Sequence, residues 1–144
     1  MANRSIGATW AGFGPQLRSL LRIAAAFMFI LAGTTKLFAF PSAMPDGATA
    51  HFPSQIWFGG VLEAFGGAAM LLGLCTRPIA FLLAGEMAVA YFQFHFPASF
   101  WPTVNHGTSA ALYCFVWLYL SAAGPGPWSL DALREKKHQQ SAGS

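Results

Sequence analysis

Four long apolar stretches, separated by proline, glycine and a few charges, dominate the chain. The first runs from about Leu21 to Phe40 and is closed by Pro41 and Pro45. The second runs from about Ile56 to Leu74, the third from about Pro78 to Phe96, and the fourth from about Asn105 to Ala123. At the rise of an α-helix, a stretch of this kind covers about 30 Å, the thickness of a bilayer's hydrocarbon core. Pro78 suits a first helical turn, where a missing N–H costs nothing. Gly124-Pro125-Gly126-Pro127 stops the last stretch. The second and third are joined by only Cys75-Thr76-Arg77, which demands an antiparallel helical hairpin. The expectation is an all-α membrane protein with four transmembrane helices in an antiparallel bundle. Residues 1–16 form an N-terminal tail, 17–133 the membrane domain and 134–144 a polar C-terminal tail.

Composition supports this pattern. Of 144 residues, 55% are hydrophobic and only 9% charged. A soluble domain carries about 25% charged residues. One apolar run can be a buried core helix; four cannot easily be. A cleaved signal peptide is disfavoured, because the first run starts late, ends in large aromatics and lacks a small-residue cleavage site.

The formal charge of +3 carries topology rather than nucleic-acid affinity, since no basic stripe interleaves with aromatics. Arg4, Arg18 and Arg22 precede the first stretch, Arg77 lies between the second and third, and Arg134, Lys136 and Lys137 follow the fourth. Four crossings place all of these on one side, which the positive-inside rule makes cytoplasmic. The expected location is the bacterial inner membrane, with both termini cytoplasmic. Trp57, Phe58, Phe96 and Trp101 fit an interfacial belt on the outer side, and Trp128 on the inner. Beyond Trp128, Ser129 caps a short helix with Asp131 in its first turn. Its basic residues lie where anionic headgroups would be, and His138 to Ser144 read as disordered.

Polar residues inside the apolar stretches are the candidate chemistry. Lys36 lies about one turn from the outer end of the first, and Glu63 about two turns into the second from the same side. They reach similar depths, so either an ion pair or a snorkelling lysine satisfies the pattern, because sequence does not fix helix rotation. Glu86 is deeper in the third stretch, sharing a helical face with Ala90 and Gln93. His95, Asn105 and His106 flank the second outer connection, and His51 lies in the first. Together these residues outline a polar chamber in the outer half of the bundle, or a set of interhelical hydrogen bonds. As a chamber it offers Glu63, Glu86, His95 and His106 for proton transfer, and Lys36, Glu63, Gln93 and Asn105 for holding a quinone or other small redox molecule. Nothing supports a metal site: HExxH, CxxCH and close His pairs are all lacking. Cys75 and Cys114 read as small buried hydrophobes rather than a disulfide. Gly59, Gly60, Gly66 and Gly67 mark one side of the second stretch, and Gly33 and Gly85 lie in its expected neighbours, as close helix packing in lipid requires.

These residues also carry a family likeness. The segments Ala32 to Leu37 (AGTTKL), Leu62 to Ala80 (LEAFGGAAMLLGLCTRPIA) and Gly124 to Leu133 (GPGPWSLDAL) resemble the DoxX family of small bacterial four-helix membrane proteins. The resemblance spans about Leu17 to Leu133. It implies that Lys36, Glu63, Gly66, Gly67, Gly73, Arg77, His95, Gly124, Gly126 and Asp131 are shared positions, and that Glu86 departs from the family, which often has an uncharged residue there. Some members resemble the membrane subunit of a thiosulfate:quinone oxidoreductase; others are associated with oxidative or thiol stress and assemble with soluble redox enzymes. The leading expectation is a membrane subunit of a quinone-linked redox system with a redox enzyme as partner. The alternatives are a non-catalytic anchor for a soluble redox protein, suggested by the compact bundle and basic tail, and a small-solute transporter, suggested by the buried carboxylates.

Overall fold

A computed structural model describes residues 6–45 and 47–143. Arg4 and Ser144, which entered the sequence reading, lie outside them. The described residues form six helices: α1 (Ile6–Ala11), α2 (Gly14–Phe38), α3 (Gln55–Leu72), α4 (Thr76–Ala90), α5 (Thr108–Ala123) and α6 (Leu130–Ala142). A π-helical turn at Leu62–Gly66 interrupts α3, and another at Tyr91–His95 prolongs α4.

The helix boundaries follow local chemistry. Pro15 stands in the first turn of α2, where its fixed φ is pre-organised. Ser54 caps α3 by accepting from the Trp57 N–H at 3.1 Å. Gly73, at φ +66, ends α3 in the left-handed conformation that glycine adopts without penalty. The turn that follows is three residues long, so α3 and α4 are antiparallel.

The pairing of α2 with α3 is also antiparallel. Arg22 reaches the Met70 and Leu71 carbonyls, Ile30 abuts Gly67, and Gly33 abuts Gly60 and Ala64. A Cβ on Gly33 would lie 2.5 Å from the Ala64 nitrogen and 2.7 Å from the Gly60 oxygen, so only glycine permits this backbone approach. Helix α4 packs most extensively against α5, with Arg77 beside Gly124 at one end and Tyr91 beside Gly107 at the other. The core between the two pairs is narrow. Phe29, Met70, Leu83, Trp117 and Leu120 are fully buried among alanines. Phe29 and Trp117 meet edge to face at 5.2 Å between centroids, and Tyr113 stacks on Trp117 at 5.9 Å.

Large apolar side chains face outward around this core. Phe27, Met28, Phe65, Leu72, Phe81, Leu82, Val89, Leu112, Phe115 and Leu118 are all exposed. Water tolerates no such girdle around a small monomer, whereas lipid does. Two helices, α2 and α3, are long and apolar enough to cross a bilayer, and α5 is a shorter apolar helix. The fold is all-α and membrane-associated. Its two ends differ: one carries Arg18, Arg22 and Arg77 (the basic end), the other Lys36 and both long connections (the Lys36 end).

Three sequence expectations are corrected. A Cβ placed on Gly85 would meet nothing within 4 Å, so this glycine faces outward and takes no part in packing within the chain. Cys75 is exposed rather than buried, because it sits at φ +47 in the tight α3–α4 turn. The stretch after Lys137 is helical through Ala142 rather than disordered. Ser129 caps α6 by accepting from the Ala132 N–H at 3.1 Å, and Asp131 lies in the first turn, so the helix starts from a fixed nucleus.

Candidate functional site

At the Lys36 end, the last turn of α2 meets the π-helical turn of α3. Lys36 lies on the same stripe of α2 as Arg22, Ala25, Ala26, Phe29 and Gly33, the face turned toward α3. The Ala50 N–H donates to the Lys36 carbonyl at 2.8 Å, tying the first long connection to this turn. Because Gly33 and Gly60 bring the two backbones together, the Lys36 ammonium reaches both oxygens of the Glu63 carboxylate. The Glu63 side chain is 4% exposed and that of Lys36 29%. The pair is therefore accessible only from the lysine's side.

A second carboxyl stands nearby. Glu86 of α4 points at Gly59, one turn of α3 before Glu63, where a Cβ would lie 3.3 Å from its Oε1. Its Oε2 is buried without a hydrogen-bond partner. One cation thus faces two carboxyls, and the ion pair satisfies only one of them. Glu86 as a whole is half-buried, and an ionisable residue within an apolar membrane helix is a candidate for function.

An apolar groove of about 430 Å³ opens beside the pair. Leu31, Thr35, Pro41, Met44 and Pro45 line it, together with Lys36 itself. It is shallow and open on its outer side, so a ligand lying in it would keep one face toward the surroundings.

The other predicted residues form a separate cluster. The Asn105 side-chain amide donates to the Ser99 carbonyl at 2.8 Å and accepts from the Gly107 N–H at 2.7 Å. His95 Nδ1 lies 3.0 Å from the Asn105 carbonyl, and the Tyr91 hydroxyl donates to the Phe100 carbonyl at 3.0 Å. These bonds fasten the connection before α5 onto the end of α4. Gln93 is exposed and bonded to Gln55. His106 is exposed at φ +59, and His51 is exposed as well. Lys36, Glu63 and Glu86 come together; His95 joins Asn105; Gln93 and His106 join neither group. No hydrogen bond among the described residues links the two clusters, so the residues that the sequence groups together fall into two hydrogen-bonded sets.

The sequence reading missed the polar lattice at the basic end. Arg22 is 0% exposed. Its guanidinium donates to the carbonyls of Met70, Leu71, Pro125 and Trp128, with Nη1 to Leu71 at 2.8 Å and Nε to Pro125 at 2.9 Å. Arg18 donates to the Ala123 carbonyl, and Arg77 to those of Ser121 and Ala122. All three arginines meet backbone carbonyls at or just beyond the C-terminal ends of α3 and α5, where the helix dipole is negative. Asp131 does the converse, accepting from the Cys75 and Thr76 N–H groups at 2.9 and 2.8 Å at the start of α4. Burial acts to raise the Asp131 carboxyl, but those N–H groups and Arg134 outweigh it and hold the group below its ordinary value. Gly126, at φ +78, has no room for a side chain, since a Cβ would lie 3.0 Å from the Ser19 nitrogen and the Pro15 oxygen. The signal for Arg22 was its place on the buried α2 stripe, three and seven residues before Ala25 and Phe29.

An all-α membrane protein, with a half-buried lysine–glutamate pair between its first two long helices and an arginine-capped opposite end, is the class that these features define. The DoxX family profile matches residues 17–96. An uncharacterized protein of Haemophilus influenzae is 40% identical over 122 residues, which cover 83% of this chain and 91% of that protein. The chain belongs to the DoxX family. No solved structure matches it significantly.

Proposed function

We propose that this chain is the quinone-binding membrane subunit of a redox system, crossing the bacterial inner membrane four times with both termini in the cytoplasm. The sidedness is supported by the basic residues: Arg18, Arg22, Arg77, Arg134, Lys136 and Lys137 share one end, and Lys36 is the one Lys or Arg among the described residues at the other. The observation that carries the quinone reading is the placement of Lys36. Lys36 both pairs with the buried Glu63 carboxylate and lines an apolar groove open to the surface.

An ammonium has three N–H donors. Two directions meet Glu63, and the third is available to a quinone carbonyl lying in the groove. Reduction to quinol takes two electrons and two protons. The electrons come from a partner redox enzyme, and the protons go to the two carbonyl oxygens. Glu63 and Glu86 are the carboxyls placed to relay those protons, with Glu63 acting through Lys36. The lining of the groove is almost wholly apolar, as a quinone ring requires. His95 and Asn105 take the role of positioning the second connection.

Titration of the purified wild-type protein with ubiquinone and menaquinone analogues, followed by difference spectra, tests the reading. Saturable binding of at least one class is expected. Failure to bind any of them overturns it.

A further inference from the structure

At the basic end, the chain emerges from α5 through Gly124 to Pro127 and turns into α6. The start of α6 is held firmly. Arg22 donates to the Trp128 carbonyl, the Trp128 N–H donates to the Ser19 hydroxyl at 3.2 Å, the Asp131 N–H donates to the Gly73 carbonyl at 3.0 Å, and the Asp131 carboxylate caps α4. The bundle therefore fixes which side of α6 faces inward. Asp131 and Ala132 are half-buried against it, while Leu130 and Leu133 are exposed.

Helical periodicity extends this assignment along α6. Leu130, Leu133, Arg134 and Lys137 share the outward side, with Lys136 on its border. Asp131 and Glu135 occupy the opposite side. All three basic residues of α6 are exposed, and Arg18, Arg22 and Arg77 are already engaged with backbone carbonyls. The outward side is thus apolar at its beginning and cationic further on. Trp128 precedes it, exposed, and joins Trp10, Phe13, Leu17 and Leu20 around an apolar groove of about 270 Å³. An indole and two leucines that lead into a row of cations suit a helix whose first turn meets the apolar boundary and whose remainder lies along the headgroups.

We infer that α6 is an anionic-lipid-binding helix, laid on the bilayer surface with Leu130 and Leu133 inserted and Arg134, Lys136 and Lys137 against phospholipid phosphates. Charge complementarity selects this occupant. The cations face outward together, the acidic residues face away, and the adjoining groove accepts the upper part of an acyl chain. The surface lies at the opposite end of the bundle from the Lys36 groove, so it stands or falls independently of quinone binding.

The test uses the full chain with Cys75→Ser, Cys114→Ser and Gln140→Cys, spin-labelled at position 140 on the same side as Leu133. It is placed in nanodiscs of phosphatidylcholine alone or mixed with phosphatidylglycerol, and oxygen and nickel-chelate accessibility is read by electron paramagnetic resonance. In the anionic bilayer the label is expected at the lipid boundary, shielded from the nickel chelate; in the neutral bilayer it is expected in water. Arg134→Gln, Lys136→Gln and Lys137→Gln should each reduce the surface-bound population by roughly fivefold, and raised salt should act in the same direction. These substitutions lie on exposed positions outside the packed helices. Equal accessibility in both bilayers, as for a helix facing a protein partner, overturns the inference, and so does an unaltered lipid response when all three basic residues are replaced.

Discussion

The two ends of the bundle use buried charge in opposite ways. At the basic end, Arg22 is fully enclosed and faces no carboxylate in its hydrogen-bonding shell; its partners are four backbone carbonyls. Arg18 and Arg77 repeat the arrangement on a smaller scale, and Asp131 mirrors it at a helix N-terminus. Arg18, Arg22, Arg77 and Asp131 complete backbone groups at or near helix ends, although Arg18 Nε, Gln16 Oε1 and Thr76 Oγ1 are buried without partners, and the basic residues of α6 face outward. At the Lys36 end, a cation meets a carboxylate, a second carboxyl stands by with an unpartnered oxygen, and a groove leads to the cation. Charge spent on backbone carbonyls and N–H groups stabilises helix ends; an unequal count of charges beside an opening suits chemistry. The contrast separates the residues that make the fold from those proposed to use it.

The largest expected effect falls on the lattice. Arg22→Ala leaves four carbonyls without their donor and should cost about 3–5 kcal/mol, read as a loss of thermal stability in detergent by circular dichroism. Arg22→Lys, with a point charge in place of a fork, should recover only part of that loss. A wild-type melting temperature for Arg22→Ala would erase the contrast between the ends.

The ion pair should behave differently. Lys36→Met leaves Glu63 buried alone and is expected to cost about 1–3 kcal/mol, less than a fully enclosed pair because the Lys36 side chain keeps 29% exposure. Adding Glu63→Leu should restore most of that stability, since exchanging both partners for apolar groups is often neutral. Thermal melts of the two singles and the double close this cycle. A double variant less stable than either single would make the pair structural.

Glu86→Gln should change stability by less than about 1 kcal/mol, because the oxygen it alters makes no hydrogen bond. Its effect belongs in quinone turnover with a reconstituted electron donor, where slower reduction with unchanged binding is expected.

The smallest effect concerns acid. The Asp131 carboxyl is held below its ordinary value in the folded chain. Its contribution is therefore fully present above the ordinary carboxylate range and is lost only as the pH falls through the lower folded-state value. Wild type should lose stability between mildly acidic and strongly acidic pH, and Asp131→Asn should flatten that part of the profile. Comparison of melting temperatures across this range checks it.

Much of the fold was legible because its signals are local. Apolar runs marked the helices, Pro41, Pro78 and the Gly124 to Pro127 turn marked their limits, and the three-residue link fixed the α3–α4 hairpin. Gly33, Gly60 and Gly67 marked the α2–α3 contact, and the similar depths of Lys36 and Glu63 made their pairing one of two readings. What escaped depends on residues far apart in sequence. Asp131 caps a helix that begins 55 residues earlier, so its own first-turn position gave no hint. The π-helical turns follow from packing and carry no composition of their own. The one after Ala90 carries Gln93, which bonds Gln55 instead of meeting Glu86. Arg22 was read for topology alone, although its stripe also contained Ala25, Phe29 and Gly33.

Quinone titration of the Lys36→Met, Glu63→Leu double variant tests the account most directly, because that variant is expected to stay folded. The account predicts that a near-native melting temperature accompanies loss of the saturable binding measured for wild type. Binding with wild-type affinity by the folded double variant would contradict it.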